Sequence, residues 1–531
     1  MTISRVIIEN YRCLRKTDLQ FSDGLNILIG DNETGKSSVL EAINLCLTGQ
    51  IRRRDASYEL HPYLFNKQAI DDYVAALRKG LKPAPPKILI EIYFNDSPDL
   101  AEAKGTNNSL NLDCPGLKIS IGLDEEHFSE EYAAYIEHKD RVSTIPVEYF
   151  KIDWFNFAHD PVSTRSKPLR PALIDPSSLT NAYAANRYVL DLARDFLNRK
   201  QKADLALSFR HLREVFQEDD SVRSINDQLL EHKGEISDRS LSVALDLSAK
   251  TSWERNVTPH LDDIPLGLVG KGEQTAIKIK LALAANDACD LLLIEEPETH
   301  QSHGNLCRLI EYISDRSNHK QLILTTHSSF VLNKLGIDAA IMFNGRTGLR
   351  LNNLSESTRD YFMKLPGHDT LRMVLAKKSI LVEGPSDELI VQKAYRQSHG
   401  KSALADGVEI ISVRSLAFKR FLEIAAKLQL AVSVVTDNDG NVEALKNKYS
   451  EYNGNPTIRI CFSENEKLRT LEPQLVDIND IEIFNAALKR NFENKQQILK
   501  YLISNKADAA LALFETEQAL TLPTYIADAV Q

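Results

Sequence analysis

Carboxylates placed just beyond apolar runs are the residues of this sequence best arranged for chemistry. Ser379-Ile380-Leu381-Val382 leads into Glu383-Gly384-Pro385-Ser386-Asp387-Glu388, and Ala431-Val432-Ser433-Val434-Val435 leads into Thr436-Asp437-Asn438-Asp439-Gly440. Apolar runs of this length read as buried strands. In a parallel sheet such strand ends gather on one edge, where ligands bind. Three or more carboxylates meeting there repel one another unless divalent cations neutralise them. With such ions, a site of this kind can activate water and stabilise the leaving oxygen of a phosphodiester. Asp437-Asn438-Asp439-Gly440 alone would pass as an ordinary Asx turn; its pairing with the Glu383 strand end makes it a metal-site candidate.

A second chemistry lies near the N-terminus. Gly30 to Ser37, GDNETGKS, meets G-x-x-x-x-G-K-[ST] at each fixed position, between the apolar run Leu25–Ile29 and the periodic segment Val39–Ile43. This is a strand, a tight loop and a helix N-terminus. Gly30 and Gly35 let backbone N–H groups curl around a phosphate, Lys36 reaches the β/γ-phosphates and Ser37 offers its hydroxyl to Mg²⁺. Asn32 and Ser38 complete the candidate loop, and the helix dipole favours the same anion. The expected ligand of this loop is therefore a nucleoside triphosphate with its Mg²⁺.

Nucleotide chemistry returns further along. Gly270-Lys271-Gly272-Glu273-Gln274 opens a segment of good helix formers, Thr275 to Ala285. Leu291-Leu292-Leu293-Ile294-Glu295-Glu296 is a four-residue apolar run ending in two carboxylates, the Walker B arrangement. Glu295 would hold Mg²⁺ and Glu296 would polarise the attacking water. Leu322 to Ser328 gives another buried strand ending in His327, placed to sense the γ-phosphate or orient water.

The elements that must position these groups follow from patterning. Strands are expected at Ile88–Phe94, Leu117–Ile121 and Val147–Lys151, beside the N-terminal strand. From about Asn181 to Ser248 the pattern turns helical, with Val189, Leu192, Ala193 and Phe196, then Leu205, Phe209, Leu212 and Phe216, at helical spacing. The helix after Glu383 is expected over Leu389–Arg396, and a second over Leu416–Leu428. A chain of 531 residues exceeds one core. Its 43% hydrophobic and 26% charged residues describe a globular protein, and no membrane span or secretory signal is read. The six cysteines are scattered with no C-x-x-C pair, which points to reduced thiols in a cytoplasmic protein. A net charge of −10 leaves no global basic footprint, so DNA contact must come from local patches or through metal ions. Arg52-Arg53-Arg54 is one such patch, although a charge run near a helix end is more often a solvated face.

The phosphate loop, the Gly270–Gln274 segment, the Walker B strand and His327, in this order, resemble the ABC-type ATPase head of SMC and RecF-like recombination proteins. In that family the signature of one head closes over its partner's nucleotide, which implies a dimer; Lys271 stands where the signature usually has serine. The E-G and D-x-D strand ends resemble the Toprim domain. Together they resemble the OLD (overcoming lysogenization defect) family of nucleases, which includes the large subunit of the Gabija anti-phage system. Thr470-Leu471-Glu472-Pro473 is similar to the family's third acidic motif, Asn505 to Ala510 to its lysine motif, and Leu522 to Ile526 to its closing P-x-Y-I segment, taken as structural. Asp387 stands where the family commonly has glutamate.

The resemblance implies an α/β fold: an ABC-type ATPase head in two parts, 1–178 and 251–370, a helical dimerisation insertion, 179–250, and a Toprim (Rossmann-like) domain, 371–531. It implies Glu383, Asp387, Asp437, Asp439 and Glu472 as ligands of Mg²⁺ or Mn²⁺, and Lys506 as a cation stabilising the transition state. The implied activity is ATP-regulated, metal-dependent DNA cleavage in anti-phage defence. The implied partners are DNA, a second copy or higher homo-oligomer, and a UvrD-like helicase subunit. The rival reading is a non-catalytic, ATP-switched DNA clamp that recruits such a partner; the acidic D-x-D argues against it, because phosphate capture prefers Arg and Lys.

Overall fold

The computed structural model describes residues 1–31, 34–52, 54–137, 142–163, 168–175, 190, 197–233, 239–245, 253, 257–284, 290–316, 320–343, 348–351, 354–365, 369–413 and 417–531. It is an α/β protein that divides into two compact units. The first comprises Met1–Leu28, Glu33–Thr326 and Gly345–Thr347, the second Ile29–Asn32, His327–Asn344 and Gly348–Gln531.

In the first unit, β1 (Ile3–Tyr11) pairs antiparallel with β2 (Leu14–Gln20), and β3 (Leu25–Ile29) leads toward the phosphate loop. Helix α1 spans Lys36–Thr48 and buries Val39, Leu40, Ile43 and Leu47. It ends at Gly49, whose left-handed backbone (φ +67°) lets its N–H reach Leu45 O, the C-cap that glycine makes without strain. The antiparallel sheet continues through β4 (Ile88–Phe94), β5 (Cys114–Leu123) and β6 (Phe150–Asn156). Strand β6 starts three residues later than expected: Val147–Tyr149 is a 3₁₀ turn, since Pro146 has no N–H to give a ladder and turns the chain before it pairs.

A second, parallel sheet of this unit has the order β7 (Pro171–Ile174), β8 (Leu291–Glu295), β9 (Gln321–Thr325), β3. Its strands are mostly apolar and buried, with α1 packed against β7, β8 and β9. Gln321, fully buried, joins the two sheets: its amide accepts Ile3 N–H at 2.8 Å and donates to Ile3 O and Ser22 O.

Between β7 and β8 come α2 (Arg199–Glu218) and α3 (Asp220–Glu231). Asn198 and Gln201 form a capping box on α2, and Asp219 caps α3. Leu205, Leu212 and Phe216 are exposed, and so are Leu207, Ile225 and Leu230. Val189, Leu192, Ala193 and Phe196 lie outside the described residues. Helix α4 spans Lys271–Ala284.

The second unit holds a four-stranded parallel sheet of order β11 (Val408–Ser412), β10 (Lys378–Val382), β12 (Val432–Val435), β13 (Ile458–Cys461). Helix α5 (Pro385–His399) follows β10, and α6 (Phe418–Leu428) follows β11. Pro385 starts α5 four residues earlier than expected, its missing N–H being one the first turn would leave unbonded anyway. The helices that close the unit include α7 (Leu471–Ile478), α8 (Lys495–Ser504), α9 (Lys506–Glu515) and α10 (Thr524–Val530). One core joins Val382, Ile390, Leu475, Ile498, Leu513 and Ile526. No helix among the described residues is long and apolar enough to cross a membrane.

Candidate functional site

The acidic edge of the second unit is set by register. Val382 of β10 lies opposite Val435 of β12, so Glu383 and Thr436 leave their strands side by side. The Thr436 hydroxyl donates to Glu383 Oε1 at 2.6 Å, and the Asp437 N–H donates to the same oxygen at 2.9 Å. Asp387 sits in the first turn of α5, where its Oδ2 accepts the Gly384 N–H at 3.0 Å. That bond completes the helix start and fixes the carboxylate near Glu383. Glu472, in the first turn of α7, accepts the Thr470 hydroxyl at 2.8 Å and pairs with Lys506 Nζ at 2.9 Å. Lys506 is the first residue of α9. Asp439 is exposed, on a turn with φ +50° held by its N–H to Arg469 O.

These groups feel one another. Burial, then Glu383, Asp387, Glu472 and Asp439, push Asp437 up to about 8. Burial and Glu383 push Asp387 up to about 6. Glu472 is also buried, yet hydrogen bonds from Lys506 and Thr470 hold it below the usual carboxylate range. Lys506 is raised in turn, by Glu472 first. Glu388 does not join the group: it is raised by burial, accepts Gln392 Nε2 and has Arg372 and Asp369 as its charged neighbours. Tyr525 on α10, assigned only a structural part by the sequence, is buried with its phenol pushed well above the usual range by burial and by Asp437, Asp387, Glu383 and Glu472. Only the long-range return of α10 to this edge makes it a neighbour of the carboxylates.

The donor set fits divalent cations. Carboxylates that burial and mutual repulsion drive toward protonation are the groups a cation would release from that cost. They are not drawn together as a closed trio: among the described residues the one set of three ligand atoms within 4.8 Å is Asp124, Glu126 and His127. There Asp124 already pairs with Lys151 at 3.3 Å and with His127 at 2.9 Å.

Gly35 has φ +96°, a left-handed backbone that favours glycine, and a β-carbon there would press on Leu14 Cδ2 at 2.5 Å and Cys13 Sγ at 2.7 Å. Lys36 and Ser38 are buried at the start of α1, and the Ser37 hydroxyl hydrogen-bonds the Glu295 carboxylate. Burial, with Asp175, Glu41 and Glu296 nearby, pushes Glu295 up to about 7 against that hydrogen bond. Asp175, which sequence reasoning missed, follows β7, whose Ile174 pairs with Ile294 beside Glu295. Glu41 of α1 is paired with Arg12 at 2.5 Å. This acidic group around a serine hydroxyl fits Mg²⁺ carried by a nucleotide.

Glu296 has φ +39°; its N–H donates to Thr325 O and Oγ1, and its Oε2 accepts the Thr299 hydroxyl. Gly272 packs tightly: a β-carbon would meet His300 O at 2.3 Å, and Gln301 Nε2 donates to Gly272 O at 2.6 Å. Gly270 is exposed with open space around it. Gly30 is buried just after β3, and His327 is exposed just after Thr326. Asn32 lies outside the described residues. Arg53 lies outside them too, and Arg54 of the same run is paired with Glu59 at 3.1 Å.

Comparison with known proteins agrees with these two chemistries. Residues 1–142 match the family model of the AAA ATPase domain, and residues 374–439 match that of the overcoming lysogenization defect protein-like TOPRIM domain. The chain is 43% identical over 60 residues to the DNA replication and repair protein RecF of Ruminiclostridium cellulolyticum, covering 11% of this chain and 16% of that one. It is 56% identical over 43 residues to RecF of Pasteurella multocida, covering 8% of this chain and 12% of that one. The chain thus spans only a small part of the curated relatives it matches. Among solved structures, the SMC head bound to the C-winged helix domain of ScpA is similar at 13% identity and TM-score 0.36, covering 66% of this chain and 98% of that one. ATP-bound RecF of the RecFOR pathway is similar at 11% identity and TM-score 0.33, covering 66% of this chain and 99% of that one. The chain thus carries an AAA ATPase domain in its N-terminal part and an OLD-like TOPRIM domain in its C-terminal part.

Proposed function

We propose that this protein is an ATP-regulated, divalent-metal-dependent DNA endonuclease that acts in anti-phage defence. The observation that carries the reading is the gathering of Glu383, Asp387, Asp437 and Glu472 on one sheet edge with Lys506 bonded to Glu472. Glu383, Asp387, Asp437, Asp439 and Glu472 would hold Mg²⁺ or Mn²⁺. Such ions, when bound, supply water activation and charge neutralisation for phosphodiester cleavage.

The chain's own residues prepare that site. Thr436 and the Asp437 peptide aim Glu383 Oε1, leaving Oε2 to point elsewhere. Thr470 and Lys506 keep Glu472 ionised. Lys506 holds a positive charge beside the carboxylates, where it would stabilise negative charge growing on the phosphate. In the first unit, Lys36, Ser37 and Glu295 would bind ATP with its metal, and Glu296 would orient water for hydrolysis.

The exposed Leu205, Leu212 and Phe216 of α2 support homodimerisation through the helical insertion. The reading also accommodates a higher homo-oligomer, a UvrD-like helicase subunit and a cytoplasmic location. The test is conversion of supercoiled plasmid to open circles by purified protein in Mn²⁺ or Mg²⁺, with and without ATP. Metal-dependent nicking supports the reading; intact, ATP-binding protein that leaves varied DNA uncut would overturn it.

A further inference from the structure

The loop 462–470 after β13 is fastened to the turn that carries Asp437 and Asp439. Asn438, buried, donates its amide to Ser463 O at 2.8 Å and to Asn465 O at 3.0 Å. The Asp439 N–H donates to Arg469 O at 3.3 Å, and the Val442 N–H donates to Glu466 Oε1 at 3.1 Å. These bonds give the end of the loop a fixed place beside the acidic edge.

Arg469 uses that place. A β-carbon on Gly440 would lie 2.9 Å from Arg469 Nε, 3.2 Å from its Cδ and 3.4 Å from its Cγ. The arginine stem is therefore laid across the glycine of Asp437-Asn438-Asp439-Gly440. Gly440 has φ +81°, so glycine serves both the turn and the close approach. The guanidinium is exposed and makes no ion pair or side-chain hydrogen bond among the described residues. Lys446 nearby is paired with Glu464 at 2.9 Å. Arg469 is thus a cation held by its stem and main chain, with its donors unused.

A carboxylate cluster repels the polyanion it is proposed to cut, so something at its rim must hold the backbone. Guanidinium suits that task, because its planar donors grip a phosphate with two hydrogen bonds. We infer that Arg469 is a DNA-anchoring residue that binds a backbone phosphate next to the phosphodiester at the carboxylates. It positions the strand by charge and fork geometry, without reading sequence. This rests on the nuclease reading and names how that site receives its substrate.

The test is fluorescence-anisotropy binding of a duplex of about 20 base pairs, in Ca²⁺, over a range of NaCl concentrations. The full chain is compared with Arg469→Gln, which keeps most of the stem over Gly440, and Arg469→Lys. Arg469→Gln should weaken binding about tenfold and lower the slope of log affinity against log salt by about one, as loss of one phosphate contact does. Arg469→Lys should restore the slope and part of the affinity. Mn²⁺ binding by calorimetry should be unchanged in both, since no carboxylate is altered. Unchanged affinity and slope in Arg469→Gln would overturn the inference, as would loss of Mn²⁺ binding, which would make Arg469 a prop for the turn. Wild-type protein that neither binds nor nicks DNA would instead sink the nuclease reading, and the phosphate assignment with it.

Discussion

Thr436 and Glu383 meet across neighbouring parallel strands, the threonine hydroxyl 2.6 Å from Glu383 Oε1. With the Asp437 N–H at 2.9 Å, one oxygen of Glu383 carries two hydrogen bonds, and Oε2 accepts none among the described residues. Thr436→Val keeps the shape and removes one of the two. A net hydrogen bond to a charged group contributes about 1.5–3 kcal/mol. Nicking by Thr436→Val should therefore fall by about tenfold or more in kcat, with nucleotide binding unchanged in an equilibrium titration.

Acidity should report the same cluster. Asp437 and Asp387 are raised from ordinary carboxylate values to about 8 and about 6. A folded-state value above the unfolded one contributes stability fully present below about pH 4, and that contribution is lost as pH rises through about 6 and then about 8. In thermal melts of metal-free protein, this part of the stability should decline from pH 5 to pH 8.5, and Asp437→Asn should flatten the decline. Mn²⁺ must displace those protons, so it should raise Tm more at pH 8.5 than at pH 5.5. An equal metal effect at both pH values would contradict the cluster's assignment.

The two glycines of the Gly270–Gln274 segment should part company. A methyl on Gly272 would sit 2.3 Å from the backbone oxygen of His300, which cannot swing aside as a side chain can. Gly272→Ala should cost about 1–3 kcal/mol in urea unfolding, the range for overpacking. Gly270→Ala meets nothing within 4 Å and should stay within about 0.5 kcal/mol of wild type.

Lys36→Ala should abolish ATP binding in a filter or calorimetric assay while leaving Mn²⁺ binding at the carboxylates intact. Glu383→Gln should do the reverse. Loss of ATP binding in Glu383→Gln would show that the two chemistries are not separable.

How much of this was legible in the sequence follows from how local each signal is. The phosphate loop reads directly, because Gly35, Lys36 and α1 act within a few residues, and so does the strand–carboxylate join at Glu295. Glu383 and Asp437 were recognisable as strand-end acids, but their contact depends on β10 and β12 being sheet neighbours, with β11 on the other side. Asp175, Tyr525 and Arg469 carry no local mark; each becomes a neighbour of acidic groups only through a distant strand, helix or loop. Glu472 and Lys506 were identified through resemblance alone, and their 2.9 Å pair is a product of α7 meeting α9 in the folded unit. The late start of β6 is the converse case: an alternating apolar pattern promised strand from Val147, and Pro146 turned the chain first.

The central claim is that the acidic edge cuts DNA, and plasmid nicking in Mn²⁺ by wild type beside a Glu383→Gln/Asp437→Asn double variant tests it most directly. The account predicts nicking by the wild type that disappears in the double variant while ATP binding and Tm at pH 5 are retained. Equal nicking by both proteins would place the cleavage elsewhere and contradict it.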